Sequence, residues 1–331
     1  MNRRRTLIAA LATVVVLAAA IPVSARERPS RDRVEHYVTG SSSDAVTNPN
    51  FGLMLAGGGP DVDEAFVEFL SLADGGDVVV IRATGADGYN DYLFELAPVD
   101  SVETLVIPDR RSAESPVVAE VLGGAELIFI AGGDQWDYVS QWSGTQVVEI
   151  IDEKVAAGVP LGGTSAGLAV LGEFLFSAKK GTVYSDEVLA NPYNRYVHLD
   201  RDLVSVPMLE GVITDSHFTE RDRMGRLVGF MARIIEDGWA PHAFGIGIDE
   251  ATAVLVDGGG SATVIGDGSA FFLSLQHAGE IVEPRTPLTV SGTTGYRISE
   301  SSGSFDLDTW SGVGGTAFVV DVIGGSLNIS G

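Results

Sequence analysis

Residues 126–135 read Glu126-Leu127-Ile128-Phe129-Ile130-Ala131-Gly132-Gly133-Asp134-Gln135, and residues 159–167 read Val159-Pro160-Leu161-Gly162-Gly163-Thr164-Ser165-Ala166-Gly167. Each is a short apolar run ending in a glycine-rich turn, and residues 146–157 between them read as a helix. Strand, helix and strand at this spacing predict a βαβ crossover with the two strands parallel. In such sheets ligands gather at the carboxyl ends of the strands, which is where both turns fall.

The same alternation extends upstream. Gly52-Leu53-Met54-Leu55-Ala56 reads as a buried strand that runs into Gly57-Gly58-Gly59-Pro60, with a helix expected over residues 63–72. Further strands are expected at 77–82 and 104–107. The fold class implied is α/β, a mostly parallel twisted sheet flanked by helices. Beyond about residue 245 the pattern changes: residues 251–256 and 261–265 look like a hairpin around 257–260. Residues 280–331 are rich in Gly, Ser and Thr with short apolar strands, a β-rich C-terminal extension that is either an edge of the main sheet or a small accessory unit.

The chain opens Met1-Asn2-Arg3-Arg4-Arg5, then an apolar run over 7–21 and the small-residue site Val23-Ser24-Ala25. That order is the pattern of a secretory signal peptide over 1–25. The run is shorter than the roughly 20 residues a spanning helix needs, which disfavours a membrane anchor. Residues 26–48 are polar and read as a leader or linker, leaving an α/β domain over 49–279 and the extension over 280–331. No later stretch is apolar and long enough to span a membrane, so the expected location is extracellular or periplasmic. A net charge of −24, from 45 acidic against 21 basic residues, argues against nucleic acid or anionic membrane as partners. The sequence does not exclude a homodimer. Cysteine is absent, so covalent catalysis would use an oxygen or nitrogen nucleophile. No cofactor or metal is called for.

Gly163-x-Ser165-x-Gly167 follows a strand and is expected to open a helix over 168–174. A sharp strand-to-helix turn exposes the hydroxyl, and flanking glycines relieve its crowding. Ser165 is therefore a candidate nucleophile, with the Ala166 N–H as a candidate oxyanion donor; the alternative is a helix N-cap. A serine nucleophile needs a base, and the histidines are His36, His198, His217, His242 and His277. Only His217, in Val212-Ile213-Thr214-Asp215-Ser216-His217-Phe218, stands where an apolar strand runs into a polar turn. Arg221, Arg223 and Arg226 follow at once, a conspicuous cluster in so acidic a chain. They could bind substrate carboxylates or pair with neighbouring acids. Asp186 and Glu187 are candidates for the acid that orients the base, and spacing does not choose between them.

Together these motifs resemble the cyanophycinase and aspartyl dipeptidase family of serine peptidases, whose fold is like that of class I glutamine amidotransferases with serine in place of cysteine. The resemblance covers about residues 50–270. It rests on the Gly57-Gly58-Gly59 turn, Gly132-Gly133-Asp134-Gln135, Gly163-Thr164-Ser165-Ala166-Gly167, the run from Asp215 through His217-Phe218 to Arg226-Leu227, and Gly247-Ile248-Asp249-Glu250-x-Thr252-Ala253. It implies Ser165 as nucleophile, His217 as base and Glu187 as the best-matched acid. Ala166 and Gly133 would form the oxyanion site, Gln135 and Asp215 would bind substrate, and Arg223 and Arg226 would grip an aspartyl carboxylate. The implied substrate is an aspartyl-type peptide such as cyanophycin, a poly-aspartate bearing arginine on each side chain. A non-catalytic binding protein on the same scaffold, or an esterase using the same serine, are the alternatives. One departure is clear: cyanophycin-cleaving members are similar in having a basic residue soon after the Gln, and here Trp136-Asp137-Tyr138-Val139 follows.

Overall fold

The computed structural model describes residues 33–299 and 303–331, so the expected signal peptide lies outside the described residues. Two sheets form among them. The first runs, in spatial order, β1 (Glu35–Gly40), β4 (Ser101–Val106), β3 (Asp77–Arg82), β5 (Leu127–Ile130), β6 (Leu161–Thr164) and β2 (Gly52–Ala56). It continues through β11 (Thr252–Asp257), β12 (Ser261–Gly266), β15 (Ser304–Asp306) and β16 (Ser311–Val313). The second runs β18 (Ser326–Ser330), β17 (Thr316–Ile323), β14 (Val290–Ile298), β13 (Ala270–Leu275), β10 (Ala243–Ile248), β9 (Val212–Asp215), β7 (Phe174–Phe176) and β8 (Leu199–Arg201).

The parallel core is β4-β3-β5-β6-β2, with antiparallel strands added on both flanks. Strands such as β3, Asp-Val-Val-Val-Ile-Arg, are apolar on both faces because helices cover one face and a second layer covers the other. The crossovers are α1 (Asp63–Ser71), α2 (Asn90–Leu96), α3 (Pro116–Gly124), α4 (Gln135–Trp142) and α5 (Gln146–Ala156), followed later by α6 (Ser185–Ala190) and α7 (Met224–Glu236). Local chemistry marks their starts: Ser115 caps α3 ahead of Pro116, and Asp134 caps α4 by accepting from the Trp136 N–H at 2.9 Å.

Strand alternation divides the core. On β2, Met54 and Ala56 face Phe66 and Phe69 of α1, while Leu53 and Leu55 face the opposite cluster with Ile151 of α5. That second cluster reaches across to Ile246, Ile248 and Phe272 of the second sheet. The far face of the second sheet packs on α7 through Leu227, Phe230 and Met231.

Two expected boundaries are corrected. The 26–48 segment is not linker throughout, since Glu35–Gly40 pairs with β4 along its whole length and closes that edge of the sheet. The extension after 279 is neither a simple edge nor a separate unit, because it feeds both sheets. β14 pairs with β13 across the expected boundary, and Phe305 stacks on Phe272 with ring centroids 4.0 Å apart. Val290, Val320 and Val322 are fully buried in the α7 cluster. A chain ended at residue 279 would expose that apolar face, so we expect it to lose the cooperative thermal transition of the full chain. A soluble, cooperatively unfolding truncation in calorimetry would show the extension to be accessory.

Candidate active site

β6 lies between β5 and β2, so Ser165 emerges at the carboxyl edge of the parallel core. Its backbone is left-handed, φ +53°, and its N–H donates to Ala56 O at 3.1 Å. A non-glycine residue in that region carries strain that the surroundings must hold. They do so by close approach: a methyl group on Gly167 would stand 2.0 Å from Ile130 O, and one on Gly163 2.6 Å from the Gly167 carbonyl. Both flanking glycines are therefore required by space. The helix expected over 168–174 is not formed. Only a 3₁₀ turn, Leu168–Val170, follows before β7, so a helix dipole does not assist the serine. Among the described residues the Ala166 N–H has no acceptor, which leaves it available to an oxyanion. Of the two loop glycines, Gly132 is the one against the serine: a methyl there would lie 3.5 Å from Ser165 Cβ, whereas one on Gly133 would meet the Tyr138 hydroxyl.

His217 stands two residues beyond β9, its N–H bonded to Gly57 O at 2.8 Å and its φ at +46°. Its Nε2 lies 2.7 Å from Ser165 Oγ, and its Nδ1 lies 2.6 Å from Glu250 Oε1. This network assigns Nδ1–H to the carboxylate and leaves Nε2 to accept from the serine. Gly58, φ +90°, backs the pair, and a side chain there would collide with the imidazole at 2.6 Å. Burial pushes the His217 pKa below its ordinary value; the Glu250 bond opposes that, while Arg221 and Arg223 add to it. The ring is thus neutral and able to take a proton at neutral pH.

Glu187 is not the partner of His217. Its carboxylate accepts from Tyr184 N at 3.0 Å at the start of α6, and Asp186 accepts from Glu187 N at 2.9 Å. The carboxylate that His217 meets is Glu250, and register explains why. β9 and β10 run parallel with Asp215 opposite Gly247, so the residues just beyond both strand ends converge. Asp249 fixes that corner by accepting from Thr219 N and Ser269 N.

The arginine run is corrected as well. Arg226, 3 % exposed, forks Nε and Nη2 onto Asp215 at 2.7 and 2.6 Å and gives Nη1 to Val183 O. Arg223, 9 % exposed, bonds Ser216 O at 2.6 Å and Asp215 at 3.1 Å. Burial pushes the Asp215 carboxyl up, and the two guanidinium groups overcome that and hold it below the usual carboxylate range. Arg223 itself is pushed down to about 10, chiefly by burial. Arg226 is committed to this internal carboxylate through both Nε and Nη2, and Arg223 reaches it through Nη1. Arg221 differs: its side chain is 52 % exposed, and its guanidinium stands 4.0 Å from Glu250. Gln135 opens α4 and donates Nε2 to Phe176 O at 3.3 Å. Next to Gln135, the Trp136 ring carries a cation from elsewhere in the chain, Lys179, whose Nζ sits 5.1 Å from the ring centre.

Residues 91–264 match the sequence profile of Peptidase family S51, more than half of the chain. The chain belongs to peptidase family S51. This S51 chain is 36 % identical over 203 residues to the cyanophycinase of Trichormus variabilis, covering 60 % of the chain and 63 % of that relative's length. It is 31 % identical over 247 residues to the cyanophycinase of Synechococcus elongatus, covering 71 % and 69 %. A solved structure of a peptidase from an acI-B1 Actinobacterium shares the fold, with a TM-score of 0.50, 19 % identity, and coverage of 70 % of this chain and 96 % of that one.

Replacing Asp215 by Asn leaves two buried guanidinium groups without their charge partner. We expect a loss of about 3–5 kcal/mol in denaturant unfolding near neutral pH. The carboxylate's contribution is present above the unfolded carboxyl value of about 3.9 and is lost as pH falls through the lower folded value, so the difference between the two proteins should shrink only in strong acid. A difference under about 1 kcal/mol at neutral pH would show that the network is not load-sharing.

Proposed function

We propose that this chain is a secreted serine peptidase that cleaves isoaspartyl-type amide bonds, with Ser165 as nucleophile, His217 as base and Glu250 as the acid orienting it. The observation that carries this is the continuous chain from Ser165 Oγ through the His217 ring to Glu250, at 2.7 and 2.6 Å. Ser165 Oγ attacks the scissile carbonyl carbon as His217 Nε2 takes the hydroxyl proton, and the imidazolium formed is stabilised by Glu250. The Ala166 N–H, with the Gly132-Gly133 loop, receives the oxyanion. His217 then returns the proton to the leaving amine, and water attacks the acyl-enzyme by the same route in reverse.

The names of the relatives point to cyanophycin as the substrate. A hollow of about 430 Å³ lined by Asp61, Asp63, Arg82, Tyr89 and Tyr92 offers a cationic side chain two carboxylates beside one guanidinium. Of the arginine run, Arg221 is the one exposed enough to meet a substrate carboxylate. Hydrogen-bond contact between Ser165 and His217 favours catalysis over a binding role. Secretion rests on the leader over 1–25, and N-terminal sequencing of the exported protein tests it.

Ser165→Ala should lower kcat on β-aspartyl peptides by about 10⁶, and Glu250→Gln by about 10⁴, while Glu187→Gln should stay within a few-fold of wild type. A larger loss from Glu187→Gln than from Glu250→Gln would reverse the assignment of the acid.

The acid limb of kcat/KM should fall below the ordinary histidine value of about 6.5, because His217 must be neutral to act. Arg221 pushes the His217 pKa down, so Arg221→Ala should move that limb to higher pH; Glu250 pushes it up, so Glu250→Gln should move it lower. Shifts in the opposite directions, read from pH–rate profiles, would rule out His217 as the titrating base.

A further inference from the structure

We propose that Lys179, held over the Trp136 ring at the mouth of the site, binds a free carboxylate on the substrate and selects for peptides that carry one beside the scissile bond. The inference rests on the peptidase reading above and adds a recognition element to it.

The position follows from how the loop 177–184 is tied down. At its start, Phe176 O accepts from Gln135, the first residue of α4, whose preceding glycine loop backs Ser165. At its end, Thr182 Oγ1 and Val183 O accept from Arg226, which also holds Asp215 two residues before His217. One anchor thus follows the glycine loop that lies against Ser165, and the other is the arginine bonded to Asp215 at the end of the strand that leads to His217. Between them the chain makes a tight turn: Ala178 has φ +51°, and Gly181 N donates to Ala178 O at 2.7 Å. Lys179 and Lys180 occupy the two central positions of that turn and are exposed.

The charge distribution is uneven enough to be informative. Lysine occurs three times in the chain, as Lys154, Lys179 and Lys180, against a net charge of −24. Two of the three are thus placed side by side at this one turn. Among the described residues neither forms an ion pair, even though Asp134 and Asp137 lie on the same helix start as Trp136. The Trp136 face holds the Lys179 ammonium instead, at 5.1 Å. An aromatic face orients a cation without neutralising it, which leaves the ammonium's donors free for an incoming anion. The indole also offers an apolar surface to the methylene stem of the residue bearing that anion. A β-aspartyl linkage leaves a carboxylate on a short arm next to the reacting amide, which suits such a point charge.

The test uses the full chain and a β-aspartyl-arginine peptide whose aspartyl α-carboxylate is free, beside the same peptide with that carboxylate amidated. In the Ser165→Ala background, calorimetry should show Lys179→Gln weakening binding of the free acid about tenfold, the size expected for one charge-assisted contact. In the active enzyme the same change should raise KM for the free acid far more than it lowers kcat, and should collapse the preference for acid over amide towards one. Lys179→Arg should restore most of that preference, and added salt should erode it in wild type. Equal affinity of Ser165→Ala with and without Lys179→Gln would overturn the inference. Absence of Ser165-dependent turnover on either peptide would instead overturn the peptidase reading, so the two failures are separable.

Discussion

Asp215 is a carboxylate removed from water between two guanidinium groups, and the site is assembled around it. Such a buried charge is costly alone and tolerable only while its partners stay in place. Arg226 brings α7 to it and, through Val183 O, fixes the loop that carries Lys179. Arg223 reaches it from the residue before α7 and also holds Ser216 O, the peptide just ahead of His217. One electrostatic knot therefore fixes the end of β9, the start of α7 and the rim of the site together. That accounts for an arginine cluster beside His217 whose two members nearest Asp215 are buried.

Around this knot the backbone departs from comfortable geometry at the hydrogen-bonded serine and histidine and beside the glutamate that follows. Ser165 and His217 both have left-handed φ, as does Ala251 immediately after Glu250. Each deviation is held by neighbouring backbone: Ser165 N on Ala56 O, His217 N on Gly57 O, and Ala251 N on Gly58 O. The glycine turn after β2 thus serves as a template against which all three members are pressed. It carries no side chain because none would fit between the imidazole and the Ser165 Cβ. Strain concentrated at a few residues and offset by the structure around them is a common arrangement in functional sites.

Much of this was legible in the sequence where the signal is local. The apolar runs at 52–56, 77–82 and 126–130 predicted strands, and their glycine-rich ends predicted the edge on which the site lies. Ser165 and His217 were legible because a strand running into a polar turn has a characteristic pattern. Glu250 was within a motif already noted, Gly247-Ile248-Asp249-Glu250, yet its partnership with His217 depends on which strand lies beside β9. The mixed-polarity β1 was illegible for a related reason, whereas the tail was legible as β-rich and only its pairing into both sheets was not. An edge strand of mixed polarity and strands weak in local preference form only when a partner strand is already in place.

What the sequence determined by itself was most strands and helices of the parallel core and the two turns that hold Ser165 and His217, since these rest on contacts between near neighbours in the chain. What the tertiary structure decided was everything requiring a register between distant segments. It paired His217 with Glu250 in place of Glu187, turned Arg223 and Arg226 inward to Asp215, and brought Lys179 to the ring of Trp136. A carboxylate or an arginine reads the same on either side of a strand. Only the alignment of β9 with β10, and the burial that follows, determines which charges face one another and which face water.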